Sequence, residues 1–297
     1  MVENPNDFLA EIRQKPIALF GLGTSGRGVR ALAGKMGMET TVFDEAEVEG
    51  ARTLFSKGDA HLHSAVVLSP GFPLTHPWVT LARECGLEIL SELDFGALFL
   101  SKGVYAVTGS NGKTTLTEFL AHTFRLVGRN AVTLGNNGQS LCAYLAENYE
   151  QEKSTILIVE ISSFQAEKLR FLKLDGLLWT NFSENHLDYH GSLAAYFDAK
   201  WRLVTECLKA PLFVCGQSVF EAAMEFQKEI PPYTLTVSNR PNSPFDTLPE
   251  ATPFAQWPFA EDFRLAATFG ERLGLPRVIW HEAARSFTLP PHRMALS

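Results

Sequence analysis

The junction at residues 104–115 narrows the fold more than any other stretch. The apolar run Val104-Tyr105-Ala106-Val107 leads through Gly109-Ser110-Asn111-Gly112 into Lys113-Thr114-Thr115. A strand that passes through two glycines into a lysine and a hydroxyl at the head of a helix is the layout of a phosphate-binding loop in a parallel α/β sheet. The glycines let backbone N–H groups close on phosphate oxygens, the helix N-terminus adds its partial positive charge, and Lys113 adds a full one. Thr114 is then placed to offer its hydroxyl to a phosphate-bound Mg²⁺. Residues 116–124 continue with helical periodicity, as strand, loop and helix in succession require. The spacing Gly-x-x-Gly-Lys-Thr-Thr is shorter at the front than the general loop, and an ordinary glycine turn beside a surface lysine is the alternative. The flanking strand and helix favour a nucleoside triphosphate.

A second glycine turn lies near the N-terminus. Ile17-Ala18-Leu19-Phe20 precedes Gly21-Leu22-Gly23-Thr24-Ser25-Gly26, a helical stretch over 27–35 follows, and Thr41-Val42-Phe43 ends in Asp44. The pattern is that of a dinucleotide fingerprint, in which the turn wraps a diphosphate and the acid accepts from a ribose hydroxyl. The same geometry holds any nucleoside diphosphate, so a diphosphate is implied and a nicotinamide is not.

Further apolar runs at residues 65–68 and 87–90 extend this first region, closing on Ser69-Pro70-Gly71 and Ser91-Glu92. Runs at 131–134, 156–159, 177–180 and 212–215 form a larger second one. They lack polar alternation, as strands covered on both faces do. The fold expected is α/β: a Rossmann-like parallel-sheet domain over residues 1–102, then a P-loop NTPase-like α/β domain over 103–297. Residues 239–258 are rich in proline and short polar residues and predict a surface excursion before two closing helices.

At 297 residues the chain is long enough for roughly two domains. Its net charge of −7 argues against a nucleic-acid surface, which needs clustered Lys and Arg. Cys85, Cys142, Cys207 and Cys215 form no Cys-x-x-Cys pair and no hydrophobic leader precedes the first strand, so a reducing cytoplasm is the expected setting. No apolar run approaches the roughly 20 residues a bilayer requires, and residues 95–100 read as a short core segment.

Glu160 closes the run at 156–159, on the sheet edge that carries the phosphate loop, where a carboxylate reaches a triphosphate-bound Mg²⁺. A helix-capping acid is the plainer reading; Ser162-Ser163-Phe164-Gln165 adds polar groups at the same edge. Residues 181–190 start at another strand end and cluster acids, amides, His186 and His190. A loop histidine alone is more often solvated than a ligand, but its place at this edge favours a ligand role for His186.

These pieces, residues 109–115, Glu160-Ile-Ser-Ser-Phe-Gln165 and Asn181-Phe-Ser-Glu-Asn-His-Leu-Asp188, resemble in order and spacing the Mur ligases of peptidoglycan synthesis. Ser69-Pro70-Gly71, Ser91-Glu92-Leu93, Gly135-Asn136-Asn137-Gly138 and the Ser-Ser-Phe-Gln run make the branch that adds D-glutamate to UDP-N-acetylmuramoyl-L-alanine the most similar. The resemblance implies that ATP phosphorylates the substrate carboxylate and that the amine of D-glutamate attacks the acyl phosphate. It implies ATP contacts from Gly109, Ser110, Asn111, Gly112, Lys113, Thr114 and Thr115, with Lys113, Glu160, His186 and Lys200 as the catalytic set. Mg²⁺ falls to Thr114, Glu160 and His186, joined by Lys200 if carbamylated. Gly23, Thr24, Ser25, Asp44, Ser69, Pro70 and Gly71 would receive the UDP part, and Asn136, Ser162 and Gln165 the muramoyl-alanine arm. Without the resemblance, Lys200 reads as a surface lysine snorkelling from an amphipathic helix.

Several positions depart from the family. Asn185 stands where aspartate usually precedes the histidine, residues 257–262 lack the His-Asn pair that helps hold adenine, and Glu45-Ala46 replaces a basic contact to uracil. Residues 289–293 resemble the lead into a third, C-terminal domain, which this sequence is expected to lack; the chain alone is then expected to bind the UDP-sugar without ligating D-glutamate. A monomer without nucleic-acid partner or membrane insertion is expected. The competing functions are a non-catalytic UDP-sugar-binding protein and a nicotinamide-dependent oxidoreductase.

Overall fold

A computed structural model describes residues 4–70, 72–238, 250, 252–256 and 259–289. The chain forms two compact units. The first comprises Met1–Lys102 together with two later excursions, Gly138–Lys153 and Lys168–Leu172; the second holds the rest of the chain.

The first unit runs α1 (Pro5–Ile12), β1 (Ile17–Phe20), α2 (Thr24–Lys35), β2 (Thr40–Phe43), β3 (Ala51–Arg52), α3 (Lys57–Leu62), β4 (Ala65–Leu68), α4 (Pro77–Glu84), β5 (Glu88–Ser91) and α5 (Glu92–Ala97). Its strands lie in the order β3-β2-β1-β4-β5, all parallel. Every residue of β1 and β4 is buried, which is why these strands appear in sequence as unbroken apolar runs. Phe20 and Phe43 meet edge to face at 5.9 Å, and Phe55 closes on both at about 5 Å, filling one side of the sheet. Residues 95–100, expected as a short core segment, begin inside α5, with Phe95, Leu98 and Phe99 buried. The apolar side chains are core, but Ser91 caps a helix by accepting from the Asp94 amide.

The second unit begins with β6 (Val104–Thr108), α6 (Lys113–Leu126) and β7 (Ala131–Gly135). The chain then enters the first unit for α7 (Leu141–Asn148) and returns for β8 (Ile156–Glu160) and the short α8 (Ser163–Ala166). After the second excursion come β9 (Leu174–Trp179), α9 (Leu187–His190), α10 (Leu193–Arg202), β10 (Phe213–Gly216), α11 (Gln217–Glu225), β11 (Thr234–Val237), α12 (Phe259–Arg272) and α13 (Val278–Ser286). The sheet order is β11-β10-β9-β6-β8-β7, again all parallel. The phosphate-loop strand β6 is central, with β8 on one side and β9 on the other. Successive crossovers leave from either side of β6, so the crevice beyond its carboxyl end is where ligands bind in sheets of this type. Leu116, Phe119 and Phe124 of α6 pack in one core with Phe263, Ala266 and Trp280 of α12 and α13, fixing the helix whose N-terminus faces that crevice. Residues 290–297 and most of 239–258 lie outside the described residues.

Three buried acids hold the excursions to the first unit. Glu92 Oε1 accepts from the Cys142 amide at 2.7 Å, and Ser101 donates its hydroxyl to Glu152 at 2.8 Å. Asp94 accepts the backbone N–H groups of Arg170, Phe171 and Leu172 at 2.9–3.3 Å. Helices α2 and α7 approach so closely that a Cβ on Gly28 would stand 2.6 Å from Ser140 Oγ, so no larger residue fits there. Removing an acceptor that serves several buried donors costs far more than one net hydrogen bond. Asp94→Ala is therefore expected to destabilise the first unit by about 3 kcal/mol, read from urea unfolding. Faster hydrogen exchange should follow at the amides of residues 170–172; a loss below about 1 kcal/mol with unchanged exchange contradicts this.

Candidate functional site

The loop between β6 and α6 turns on two left-handed glycines, Gly109 (φ 149°) and Gly112 (φ 81°), a conformation that side chains resist. The end of β9 braces it. Ser110 N donates to Asn181 O at 3.0 Å, Asn111 N to Asn181 Oδ1 at 2.9 Å, and Ser110 Oγ lies 3.2 Å from the Tyr196 hydroxyl. Two of the loop amides expected to face phosphate thus bond protein acceptors instead. The donors left for an anion are those of the first turn of α6, which by helix geometry have no acceptor within the helix. Lys113 folds back, its Nζ donating to Gly109 O and Ser110 O at 3.0 Å each.

Thr114 Oγ1 donates to Glu160 Oε2 at 2.8 Å, and Asn136 Nδ2 donates to Glu160 Oε1 at 3.1 Å. Glu160 is 2% exposed. The starts and ends of α6, β8 and β7 therefore converge on one carboxylate. Glu160 caps no helix here; Ser162 caps α8, in a box where Gln165 Oε1 accepts from Ser162 N and Oγ at 3.0 Å. Ser162 and Gln165 thus satisfy one another in shaping the turn after Glu160.

Lys200, on α10, is 1% exposed rather than snorkelling. Its Nζ donates to Thr108 Oγ1 at 3.2 Å and Gly109 O at 3.1 Å, and lies 5.2 Å from the centre of the Tyr196 ring. Burial pushes its pKa well down, the Lys113 charge adds to this, and Glu160 opposes both. His186 is exposed and sits at φ 53°, its ring 5.0 Å from Phe164. Partial burial and then the Lys200 and Lys113 charges hold its pKa below the ordinary value, which keeps the imidazole neutral at pH 7. Asn185 Oδ1 accepts from the His186 amide at 2.9 Å.

Sequence reading missed two features. His190 is buried between Phe164 and Tyr196, with Nε2 3.0 Å from Ser163 Oγ and Nδ1 3.1 Å from Glu167 Oε1. This chain ties the His186 segment to α8; its three members are 4 and 23 residues apart, a separation no local pattern reveals. The other is Asp262, 4% exposed, whose Oδ1 would stand 2.7 Å from a Cβ on Gly112. The acid stands immediately behind the phosphate loop.

In the first unit the turn at Gly21 is closed by Ser69, whose hydroxyl donates to Gly21 O at 3.1 Å. Asp44 Oδ2 accepts from Leu22 N at 2.8 Å and Oδ1 from Ala46 N at 3.0 Å, so the carboxylate shapes the turn and keeps one lone pair on each oxygen for a ligand. Gly23, at the N-cap of α2, and Thr24 are exposed, and Ser25 is half-buried beside them. Pro70 is exposed, and Gly71 lies outside the described residues.

The residues fit Mg²⁺ bound with a triphosphate. Among the described residues there is no cluster of three or more His, Cys, Asp or Glu able to hold a metal. Mg²⁺ needs none, because it takes one or two protein oxygens and completes its shell with phosphates and water. The Thr114 hydroxyl and the Glu160 carboxylate, 2.8 Å apart at the head of α6, supply such oxygens.

Residues 107–251 match the Mur ligase middle domain. The chain is 32% identical over 214 residues to the UDP-N-acetylmuramoylalanine–D-glutamate ligase of Bacteroides fragilis, covering 67% of this chain and 47% of that protein. The chain belongs to the Mur ligase family. The enzyme of the same name from a Thermoanaerobacter species is 31% identical over 208 residues, 65% of this chain and 45% of that one. The chain therefore spans about half the length of the curated Mur ligases it matches. The fold is shared with a solved UDP-N-acetylmuramate:L-alanyl-γ-D-glutamyl-meso-diaminopimelate ligase from Neisseria meningitides (TM-score 0.62, 15% identity, 94% of this chain and 99% of that chain). It is also shared with UDP-N-acetylmuramate–alanine ligase from Thermotoga maritima (0.53, 16%, 92% and 68%). Both have the parallel-sheet α/β architecture of Mur ligases.

Burial, then the neighbouring Glu261, holds the Asp262 carboxyl well above the ordinary carboxylate range. A group whose folded pKa is raised contributes stability that is complete below its unfolded value and lost as pH rises through the folded one. Asp262→Asn is thus expected to melt at a higher temperature than wild type near neutral pH, with the gap closing on acidification toward the ordinary carboxylate range. A pH-independent gap, or a less stable variant at neutral pH, contradicts this.

Proposed function

We propose that this chain binds UDP-N-acetylmuramoyl-L-alanine and ATP and acts in the ATP-driven joining of that substrate to D-glutamate through an acyl phosphate. The observation that carries the proposal is the Glu160 carboxylate shared by Thr114 and Asn136 at the phosphate loop, together with the relatives of that activity. The substrate carboxylate would attack the γ-phosphorus, ADP would leave, and the D-glutamate amine would displace phosphate from the acyl carbon. Lys113 would exchange its two carbonyl partners for phosphate oxygens, and the first turn of α6 would orient the chain of phosphates. Thr114 and Glu160 would hold Mg²⁺, which supplies charge neutralisation at the transferring group. Neutral His186 fits a second ion. Gly23, Thr24, Ser25, Asp44 and residues 69–71 would take the uridine diphosphate, and Asn136, Ser162 and Gln165 the muramoyl-alanine arm. With no disulfide among the described residues and no described helix long and apolar enough to cross a membrane, a reducing cytoplasm suits this work.

Lys200 is proposed to be carbamylated. Its amine must be neutral to attack CO₂, and burial beside Lys113 favours the neutral form. A second reading, a UDP-sugar-binding protein without ATP chemistry, is favoured by Asn185, an amide where the resemblance places an aspartate.

Thermal-shift titration with UDP-N-acetylmuramoyl-L-alanine, UDP and NADH tests the substrate assignment, because a ligand that binds only the native state raises its stability by mass action. The muramoyl substrate is expected to give a shift well above that of UDP; a response to NADH alone overturns the reading. For Lys200, ¹³C-bicarbonate should give a carbamate carbon signal that the Lys200→Arg variant lacks, and the same spectrum for both proteins contradicts carbamylation.

A further inference from the structure

The second unit carries a cleft of about 510 Å³ that the nucleotide chemistry does not use. It opens where β9, β10 and β11 begin, with Asp175, Leu212, Thr234 and Leu235 contributed by those strand starts and Arg272 and Leu273 by the end of α12. All strands of the sheet are parallel and the phosphate loop follows the carboxyl end of β6, so the cleft lies at the opposite edge. A strand as long as the six-residue β9 separates the two edges by roughly 20 Å. The volume lies within the range of about 300–1,000 Å³ typical of small-molecule sites.

Two charged groups on its lining make no hydrogen bond or ion pair among the described residues. The Asp175 carboxylate, half-buried over the Gly103 Cα, accepts nothing there, and the exposed Arg272 guanidinium at the last residue of α12 donates to nothing there. The two do not pair with each other. One acid and one base left open on a lining that also includes Leu212, Leu235 and the Tyr233 ring form a pattern of charge and apolar surface that matches a zwitterion with an apolar side chain.

We infer that this cleft is a binding site for a free amino acid with an apolar or aromatic side chain, its ammonium on Asp175 and its carboxylate on Arg272. A carboxylate and a guanidinium recognise these groups by charge-assisted hydrogen bonds, the guanidinium in bidentate fashion. The inference goes beyond the ligase reading and does not depend on it, since no residue of the cleft belongs to the nucleotide or UDP-sugar sites.

The test is a ¹⁵N chemical-shift titration of the whole chain with L-phenylalanine, N-acetyl-L-phenylalanine and L-phenylalaninamide. The parent amino acid is expected to give saturable shifts at the amides of Thr234, Leu235 and Leu273 with Kd on the order of 1 mM. Each analogue lacks one charge and should bind about tenfold more weakly. Asp175→Asn should lose the discrimination against the acetylated analogue only, and Arg272→Gln the discrimination against the amide only, a crossed pattern that a general loss of structure does not produce. Absence of saturation with L-phenylalanine and with L-leucine up to about 50 mM, or equal binding of all three phenylalanine compounds, overturns the inference. Adding ATP to the same sample reports the amides of residues 109–115 separately, so failure at the cleft and failure of the nucleotide reading are distinguished.

Discussion

One carboxylate joins the parts of the second unit that matter for chemistry. Glu160 ends β8, and its two oxygens receive the Thr114 hydroxyl from the first turn of α6 and the Asn136 amide from the end of β7. The Asn136 backbone N–H also donates to the Glu160 carbonyl at 2.9 Å, so the attachment involves both main chain and side chain. A buried acid in that position needs donors to offset its desolvation. Here they are the same groups that a phosphate-bound cation would meet. The acid thus positions the head of α6 in the free protein.

Around that acid two lysines converge on one carbonyl. Lys113 and Lys200 both donate to Gly109 O, and the Lys113 charge adds to burial in disfavouring the charged form of Lys200. A triphosphate would relieve this repulsion by taking Lys113 off its carbonyls, while Lys200, held among Thr108, Gly109 and Tyr196, cannot follow it to the surface. Asp262, behind Gly112, is held toward its uncharged form by burial and so adds little negative charge there.

The parallel sheets were legible because strands buried on both faces appear as plain apolar runs, and nine of them lie close to where the patterns put them. The two strands that were not read are β3, only two residues long, and β11, an edge strand whose Thr234-Leu235-Thr236-Val237 alternates too briefly to stand out. The glycine loop between β6 and α6 was legible since its glycines and lysine lie close together between an apolar run and a helical one. The roles of Asp94, His190 and Asp262 were not, because their partners lie 76, 23 and 150 residues away and each residue alone looks like an ordinary helix-end polar group. The departure of α7 into the first unit was hidden for the same reason: the acid that holds it, Glu92, is 50 residues upstream. Lys200 shows the limit in reverse, an apparently solvated lysine whose burial follows only from packing against Tyr196 and Thr108.

The measurement that bears most directly on this account is calorimetric titration of ATP into wild type and Glu160→Gln, with and without Mg²⁺. If Glu160 is the protein's carboxylate for a phosphate-bound cation, Mg²⁺ strengthens ATP binding to wild type, and the variant loses at least about tenfold in MgATP affinity, roughly 1.4 kcal/mol, with little change for ATP alone. Equal MgATP affinity of the two proteins, with the variant folded, would contradict it.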